Sequence, residues 1–522
     1  MAVILAVLAA ACTGNQLNAN GLASPSTSAP RRPATSAPPT GPSTTVPDTP
    51  TTTPPSSGSS AAEPADNGFP KDWAAPQLSW KACAKQPSFE CTTLRVPLDW
   101  SNPSGETIDL ALARLPASGK RIGALVANPG GPGASGLDFV FSEPFKAELE
   151  NRFDLVSWDP RGVGASTHLA CGSRVAPFLH LDSDPDNSAE QSALDSAAQA
   201  VAAECAATDA KLLPHLGTDD TARDLEAIRI ALAEPKLNYY GFSYGTYIGE
   251  RYLALFPTHV RALVLDGVVN PTQGLVGLLT GQTRSMTAAI GRAFDQCKNS
   301  GSCPIADPAA AYDQVKSSVE RSPLPTGGSR PLGPSELATG AIYATYDPQL
   351  WSSLDKAVAQ AAKGKGKAMS DLADGYYDFG DWTAYADITC IDSAHPQGQA
   401  DYQKFVESLR AISPDFGGPI GNEMLPCAYW PTPTQAHTGP IAAAASPDIL
   451  VVGNTGDAAT PYDDAVAVSK MLAHGHLLTY RGEGHTAYGR DDCTDAAIHK
   501  YLIDLTVPDP EPRCDGGAAS SL

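Results

Sequence analysis

Positive charge is what this sequence has least of: 36 Lys and Arg stand against 57 Asp and Glu, a formal charge of -21 over 522 residues. Such a surface repels polyphosphate and anionic lipid, which argues against nucleic acid as a partner. Long apolar runs are also lacking. The stretch Met1 to Cys12 is apolar but far short of the roughly 20 residues a membrane-spanning helix needs. There is no Cys-x-x-Cys pair and no histidine cluster with ligand spacing, so neither structural zinc nor any other metal is expected. A Gly-rich run near residue 130 lacks the Gly-Lys-Ser/Thr ending of a phosphate-binding loop. No internal repeat is present. What remains is a chain with 42% hydrophobic residues, long enough to bury a large core as one big domain with an insertion, or as two domains.

Residues 1–12 are the right length for the core of a signal peptide, which implies export. The small residues leading into Cys12 resemble the lipobox of bacterial lipoproteins, which would make Cys12 the lipidated first residue of the mature chain; a plain cleaved signal peptide is the alternative. A membrane contact is then expected only through that lipid anchor. Residues 13–68 read as a tether: 22 of the 30 residues from Arg31 to Ser60 are Pro, Ser or Thr, a composition that cannot bury enough surface to fold. Of eleven cysteines, setting Cys12 aside leaves ten, an even number that suits an oxidising compartment. Their regional grouping suggests local bridges, Cys83 to Cys91, Cys171 to Cys205, Cys297 to Cys303, Cys390 to Cys427 and Cys493 to Cys514, although sequence alone leaves the connectivity open.

From residue 69 onward, short apolar strands alternate with helical patterns, the rhythm of a mostly parallel sheet with helices on both faces. Strands are predicted over Thr93 to Leu98, Ile108 to Arg114, Arg121 to Ala127, Phe153 to Trp158, Leu237 to Phe242, Val260 to Leu265, Ile449 to Val452 and His476 to Tyr480. Residues 268–447 break the rhythm with helical segments such as Gln282 to Cys297 and Pro308 to Glu320, and read as a mainly helical cap inserted between a first core part, 69–267, and a second, 448–522.

The chemistry concentrates in a few loops. Gly241-Phe-Ser-Tyr-Gly245 follows a strand and precedes a helix, the setting in which a serine occupies a sharp, exposed elbow. A serine hydroxyl needs an imidazole to take its proton and an acid to hold that imidazole. Asp457, in the turn after the strand at Ile449, fits the acid; His485, in Gly482-Glu-Gly-His-Thr486 after the last predicted strand, fits the base. Asp266 is the rival acid, with Asp463 and Asp464 behind it. The oxyanion of acyl transfer needs backbone donors, expected from Tyr244 and from Gly131 in the Gly-rich loop, with Gly130 as the alternative.

Assembled, these residues resemble the proline iminopeptidase family of α/β-hydrolases, and more closely the secreted tripeptidyl aminopeptidases and related exported proteases of actinobacteria. The resemblance runs from about Trp80 to Cys514 and rests on Pro129-Gly-Gly-Pro-Gly133, Asp159-x-Arg-Gly-x-Gly-x-Ser166, Gly241-Phe-Ser-Tyr-Gly-Thr246, Asp457-x-x-Thr-Pro461 and Gly484-His485. Pro129 stands where proline iminopeptidases carry histidine, which departs from strict prolyl specificity. The resemblance implies an α/β-hydrolase fold, no cofactor, a peptide or protein substrate, and cap carboxylates that hold the substrate's free amine. Asp392, in Ile388-Thr-Cys-Ile-Asp392, is the first candidate for that amine and Glu423 the second; Arg161 is expected to support the loop around the site. The function implied is removal of short peptides, of tripeptidyl type, from free N-termini. A carboxylesterase or lipase using the same triad is the alternative, and a non-catalytic surface-binding protein the alternative of another class. The sequence is silent on oligomeric state.

Overall fold

The computed structural model describes residues 67–508 and 513–515, all within one compact unit, Ala62–Leu522. The apolar leader, Cys12 and residues 13–66 of the expected tether lie outside the described residues.

The described chain builds a ten-stranded sheet: β1 (Lys81–Ala82), β2 (Glu90–Pro97), β3 (Thr107–Leu115), β4 (Gly123–Asn128), β5 (Phe153–Trp158), β6 (Leu237–Phe242), β7 (Val260–Asp266), β8 (Ile449–Gly456), β9 (Gly475–Glu483) and β10 (Arg513–Asp515). Their order is β1-β2-β3-β5-β4-β6-β7-β8-β9-β10. The pairs from β1 to β5 run antiparallel, and every pair from β5–β4 to β9–β10 runs parallel. Side chains explain the layering. Along β4, Ala124 and Val126 enter one buried cluster while Leu125 and Ala127 enter another; along β8, Ile449 and Val451 alternate with Leu450 and Val452 in the same way. A two-residue period that is apolar on both faces requires helices on both sides of the sheet.

β5 and β6 have the bounds read from the sequence, whereas β8 continues four residues past Val452 because its pairing with β9 resumes after an irregularity between Asn454 and Gly456. Between β7 and β8 the chain forms eight α-helices, from Gly274–Asn299 to Gly417–Glu423. The first is longer than the predicted Gln282 to Cys297. Its early turns bury Leu275 and Leu279 at helical spacing, but Gly277 and Gly281, weak helix formers, mask that start in the sequence. Leu279, Ile290, Val315, Leu354 and Leu409 of the insertion share one buried cluster with Val126 and Ile228 of the sheet layer, so one face of the sheet and the insertion have a common core. Five disulfides join Cys83–Cys91, Cys171–Cys205, Cys297–Cys303, Cys390–Cys427 and Cys493–Cys514, each a bridge between sequence neighbours. Among the described residues no helix is long and apolar enough to cross a membrane.

Candidate active site

The carboxyl ends of the parallel strands gather the chemistry, as open α/β sheets generally arrange it. Ser243 follows β6 directly and starts the helix Tyr244–Leu255 with φ 55° and ψ -127°, a left-handed backbone that costs a non-glycine residue on the order of 1–3 kcal/mol. The turn is held by Ser243 N–H donating to the Asp266 carbonyl at 2.9 Å and by Thr246, whose N–H and hydroxyl both donate to the Ser243 carbonyl, at 2.8 and 2.6 Å. It also demands small neighbours. A Cβ on Gly245 would lie 2.5 Å from the Asn128 carbonyl oxygen, so β4 and the helix could not approach with any other residue there.

Asp457 follows β8 directly and is 4% exposed. Its Oδ1 accepts from the N–H groups of Ala459 and Thr460, at 3.0 and 2.8 Å, and its Oδ2 from Thr486 N–H at 2.9 Å. His485 Nδ1 lies 3.0 Å from both carboxylate oxygens and 3.3 Å from the Thr460 hydroxyl. Burial opposes ionisation of Asp457, yet the neighbouring imidazole and these hydrogen bonds outweigh it and hold the carboxyl below its ordinary range. With Nδ1 turned to the acid, Nε2 is buried and makes no hydrogen bond among the described residues. The imidazole sits beside the serine turn: a Cβ on Gly267, the residue after the Asp266 that accepts from Ser243, would lie 3.1 Å from His485 Cε1.

The rival acids have other work. Asp266 accepts from the Tyr240 hydroxyl at 3.0 Å and from the N–H groups of Ala487 and Tyr488 at 2.9 and 3.0 Å, and burial pushes its carboxyl up to about 6. It pins the loop beyond His485 and does not touch the imidazole. Asp464, in the first turn of the helix Tyr462–Met471, accepts from Gln273 and Asn270, and Asp463 is its exposed-side neighbour on that turn.

The Gly-rich loop meets the serine turn where sequence reasoning expects oxyanion donors. Gly130 has φ 90°, and a Cβ there would fall 2.7 Å from Tyr244 N, so the loop backbone lies directly against that amide; Gly131 follows at φ 105°. The first-turn amides of a helix have no intrahelical partner, which leaves Tyr244 N–H available. Arg161 lies elsewhere: fully buried, it donates to both oxygens of Asp224 at 2.7 and 2.6 Å and to the carbonyls of Leu98 and His215.

The two cap carboxylates differ. Asp392, at the end of the helix Trp382–Asp392, is occupied by protein donors: Thr218 N–H is 3.0 Å from both oxygens, the Tyr244 hydroxyl donates at 3.0 Å and the Thr218 hydroxyl closer still. Burial still pushes it up to about 6. Glu423, which ends the helix Gly417–Glu423, accepts from the Tyr376 hydroxyl at 2.8 Å, and burial pushes its carboxyl up to about 7. Around it stand Trp382, Tyr385 and Tyr346. The Tyr346 ring lies 6.3 Å from that of Tyr376 and packs edge-on to His485 at 5.4 Å. These aromatic residues escaped sequence reasoning because they come from different stretches of the insertion and carry no local motif. Thr460, by contrast, stood in view within Asp457-x-x-Thr-Pro461.

Fold, elbow and acid–imidazole pair define a serine hydrolase of the α/β-hydrolase fold. Residues 123–282 match the family described as alpha/beta hydrolase fold, and residues 413–514 match the family described as TAP-like protein. Serine protease Hip1 of Mycobacterium tuberculosis is 34% identical over 462 residues, spanning 81% of this chain and 87% of that protein. Carboxylesterase B of the same organism is 32% identical over 475 residues, 84% of this chain and 90% of that one. Tripeptidyl aminopeptidase of Streptomyces coelicolor is 32% identical over 455 residues, 82% and 84% respectively. The chain belongs to this TAP-like family of α/β-hydrolase serine hydrolases.

Proposed function

We propose that this chain is an exported serine exopeptidase that removes short peptides, of about three residues, from free N-termini. The observation that carries the reading is Glu423: a half-buried carboxylate that accepts from the Tyr376 hydroxyl and stands beside Trp382, among aromatic side chains of which Tyr346 packs on His485. A cation in a partly closed site needs a nearby carboxylate, and aromatic rings favour it further. Glu423 replaces Asp392 as first candidate for the amine, because the oxygens of Asp392 are already satisfied by Thr218 and Tyr244.

In this reading Ser243 Oγ attacks the scissile carbonyl while His485 Nε2 takes its proton and Asp457 stabilises the imidazolium at Nδ1. Tyr244 N–H, with Gly131 from the apposed loop, meets the developing oxyanion, each donor contributing about 10²- to 10³-fold in rate. The imidazolium then protonates the leaving amine as the C–N bond breaks, and water, activated by the same imidazole, releases the peptide from Ser243 and restores the hydroxyl. Fixing the amine at Glu423 limits how much chain reaches past Ser243; three extended residues cover about 10 Å.

The test compares a peptide with its N-acetylated form and reads the product length by mass spectrometry. A release of tripeptides, strongly reduced by acetylation, is expected; equal cleavage of both forms refutes the exopeptidase reading. If simple esters are then turned over far better than either peptide, the carboxylesterase reading, favoured by the 32% identity to Carboxylesterase B, replaces it. Export and lipidation rest on residues 1–12: replacing Cys12 by Ser should release the enzyme into the medium, and unchanged membrane retention refutes the anchor.

A further inference from the structure

His485 and the pocket around Glu423 are joined through one residue of the insertion. Tyr346 follows the helix Pro334–Tyr343, and its carbonyl accepts from His485 N–H at 2.8 Å. The same carbonyl accepts from Arg490 Nη2 at 3.3 Å, and that nitrogen also donates to the His485 carbonyl at 2.8 Å, while Arg490 Nε donates to the Thr486 carbonyl at 2.8 Å. Both backbone polar groups of His485 are thereby tied down, one of them to the insertion. The Tyr346 side chain completes the hold. Its ring stands perpendicular to the imidazole, at 87° and 5.4 Å, and also meets Tyr376, whose hydroxyl reaches Glu423.

An imidazole held by Asp457 at Nδ1 alone can still rock about that hydrogen bond. Such rocking carries Nε2, the atom that must face Ser243, away from its target. A perpendicular ring against the imidazole removes that freedom, and displacements of about 1 Å in a reacting group can cost roughly 10²-fold in rate.

We propose that Tyr346 is a positioning residue for His485, through which the insertion sets the orientation of the imidazole from within the Glu423 pocket. The contents of that pocket rest on the proposed exopeptidase reading; the positioning does not. It is therefore tested on p-nitrophenyl acetate, which carries no amine, alongside a free-amine tripeptide nitroanilide, in the full-length protein. Tyr346→Ala is expected to lower kcat on the acetate ester about 10- to 100-fold with little change in KM, and Tyr346→Phe, which keeps the ring, to recover most of that loss. Tyr346→Leu, which fills more of the space, guards against collapse of the site and should behave as Ala does; thermal unfolding checks that each variant is folded. A wild-type kcat on the ester in both ring-less variants overturns the proposal, as does an equal loss in Phe and Ala. If Glu423→Gln leaves the free-amine substrate unaffected while Tyr346→Ala still slows the ester, the positioning stands and the amine pocket falls.

Discussion

The sheet and the insertion contribute to the site by different means. Ser243 and Asp457 each come directly after a strand, and His485 two residues after one. Glu423 and Tyr376 come from two separate helices and Tyr346 from the turn after a third, and they meet only when the insertion packs on itself and on the sheet. A parallel sheet fixes its strand ends through a continuous hydrogen-bonded ladder, so a residue there is placed by a few local choices. A helical insertion fixes its side chains through the sum of many apolar contacts. In the proposed reading the chemistry sits on the sheet and amine recognition on the insertion, and Tyr346, packed on His485, joins the two.

The largest effect that would sharpen this division is expected on the sheet side. Ser243→Ala should remove at least about 10⁴-fold in kcat on peptide and ester alike, with thermal stability kept, since the hydroxyl is proposed as the attacking atom; comparable turnover in the variant breaks the assignment. Asp457→Asn should cost about 10⁴-fold in kcat through loss of imidazole orientation. Asp266→Asn should act mainly on thermal stability, because Asp266 holds the backbone at Ala487 and Tyr488 and not the imidazole. A reversed ranking of these two in kcat would transfer the role of the acid.

Within the insertion the next effect is on stability. Replacing Cys390 and Cys427 by Ser opens a bridge of sequence separation 37 and should cost about 3–4 kcal/mol, against about 2 kcal/mol for Cys297 and Cys303 at separation 6, measured by denaturant unfolding. Equal costs would mean that loop length does not set what each bridge contributes.

Glu423→Gln gives the smallest effect and the most selective one: about 10- to 100-fold in kcat/KM on free-amine peptides, the range of a charge-assisted contact, and little on simple esters. Its pH signature has a definite sign. Folded Glu423 keeps its proton up to about pH 7, whereas the unfolded chain releases it near the ordinary 4.5, so stability falls as pH rises from about 4.5 to 7 and is level outside that window. The Gln variant should lack that fall, gaining on the order of 3 kcal/mol relative to wild type between pH 4.5 and 7.5 in parallel melts. A gain that is flat across this range would mean that Glu423 ionises freely in the folded protein.

By itself the sequence determined the sheet and what hangs from it. Alternating apolar residues in β4 and β8, the glycines around Ser243 and the loops after β8 and β9 are local signals, because a strand end and its turn are specified within about ten residues. It also grouped the cysteines into the local pairs that the structure joins. The sequence already preferred Asp457 to Asp266 as the acid; what only the tertiary structure adds is the contact, because the packing of the loop after β9 sets which carboxylate meets Nδ1. For the cap carboxylates the sequence put Asp392 ahead of Glu423, and only the tertiary structure shows Asp392 occupied by Thr218 and Tyr244 while Glu423 stands among tyrosines. Tyr346 had no signal at all: its contact with His485 spans 139 positions and depends on the helical insertion folding back over the sheet, a long-range packing event that no local pattern encodes.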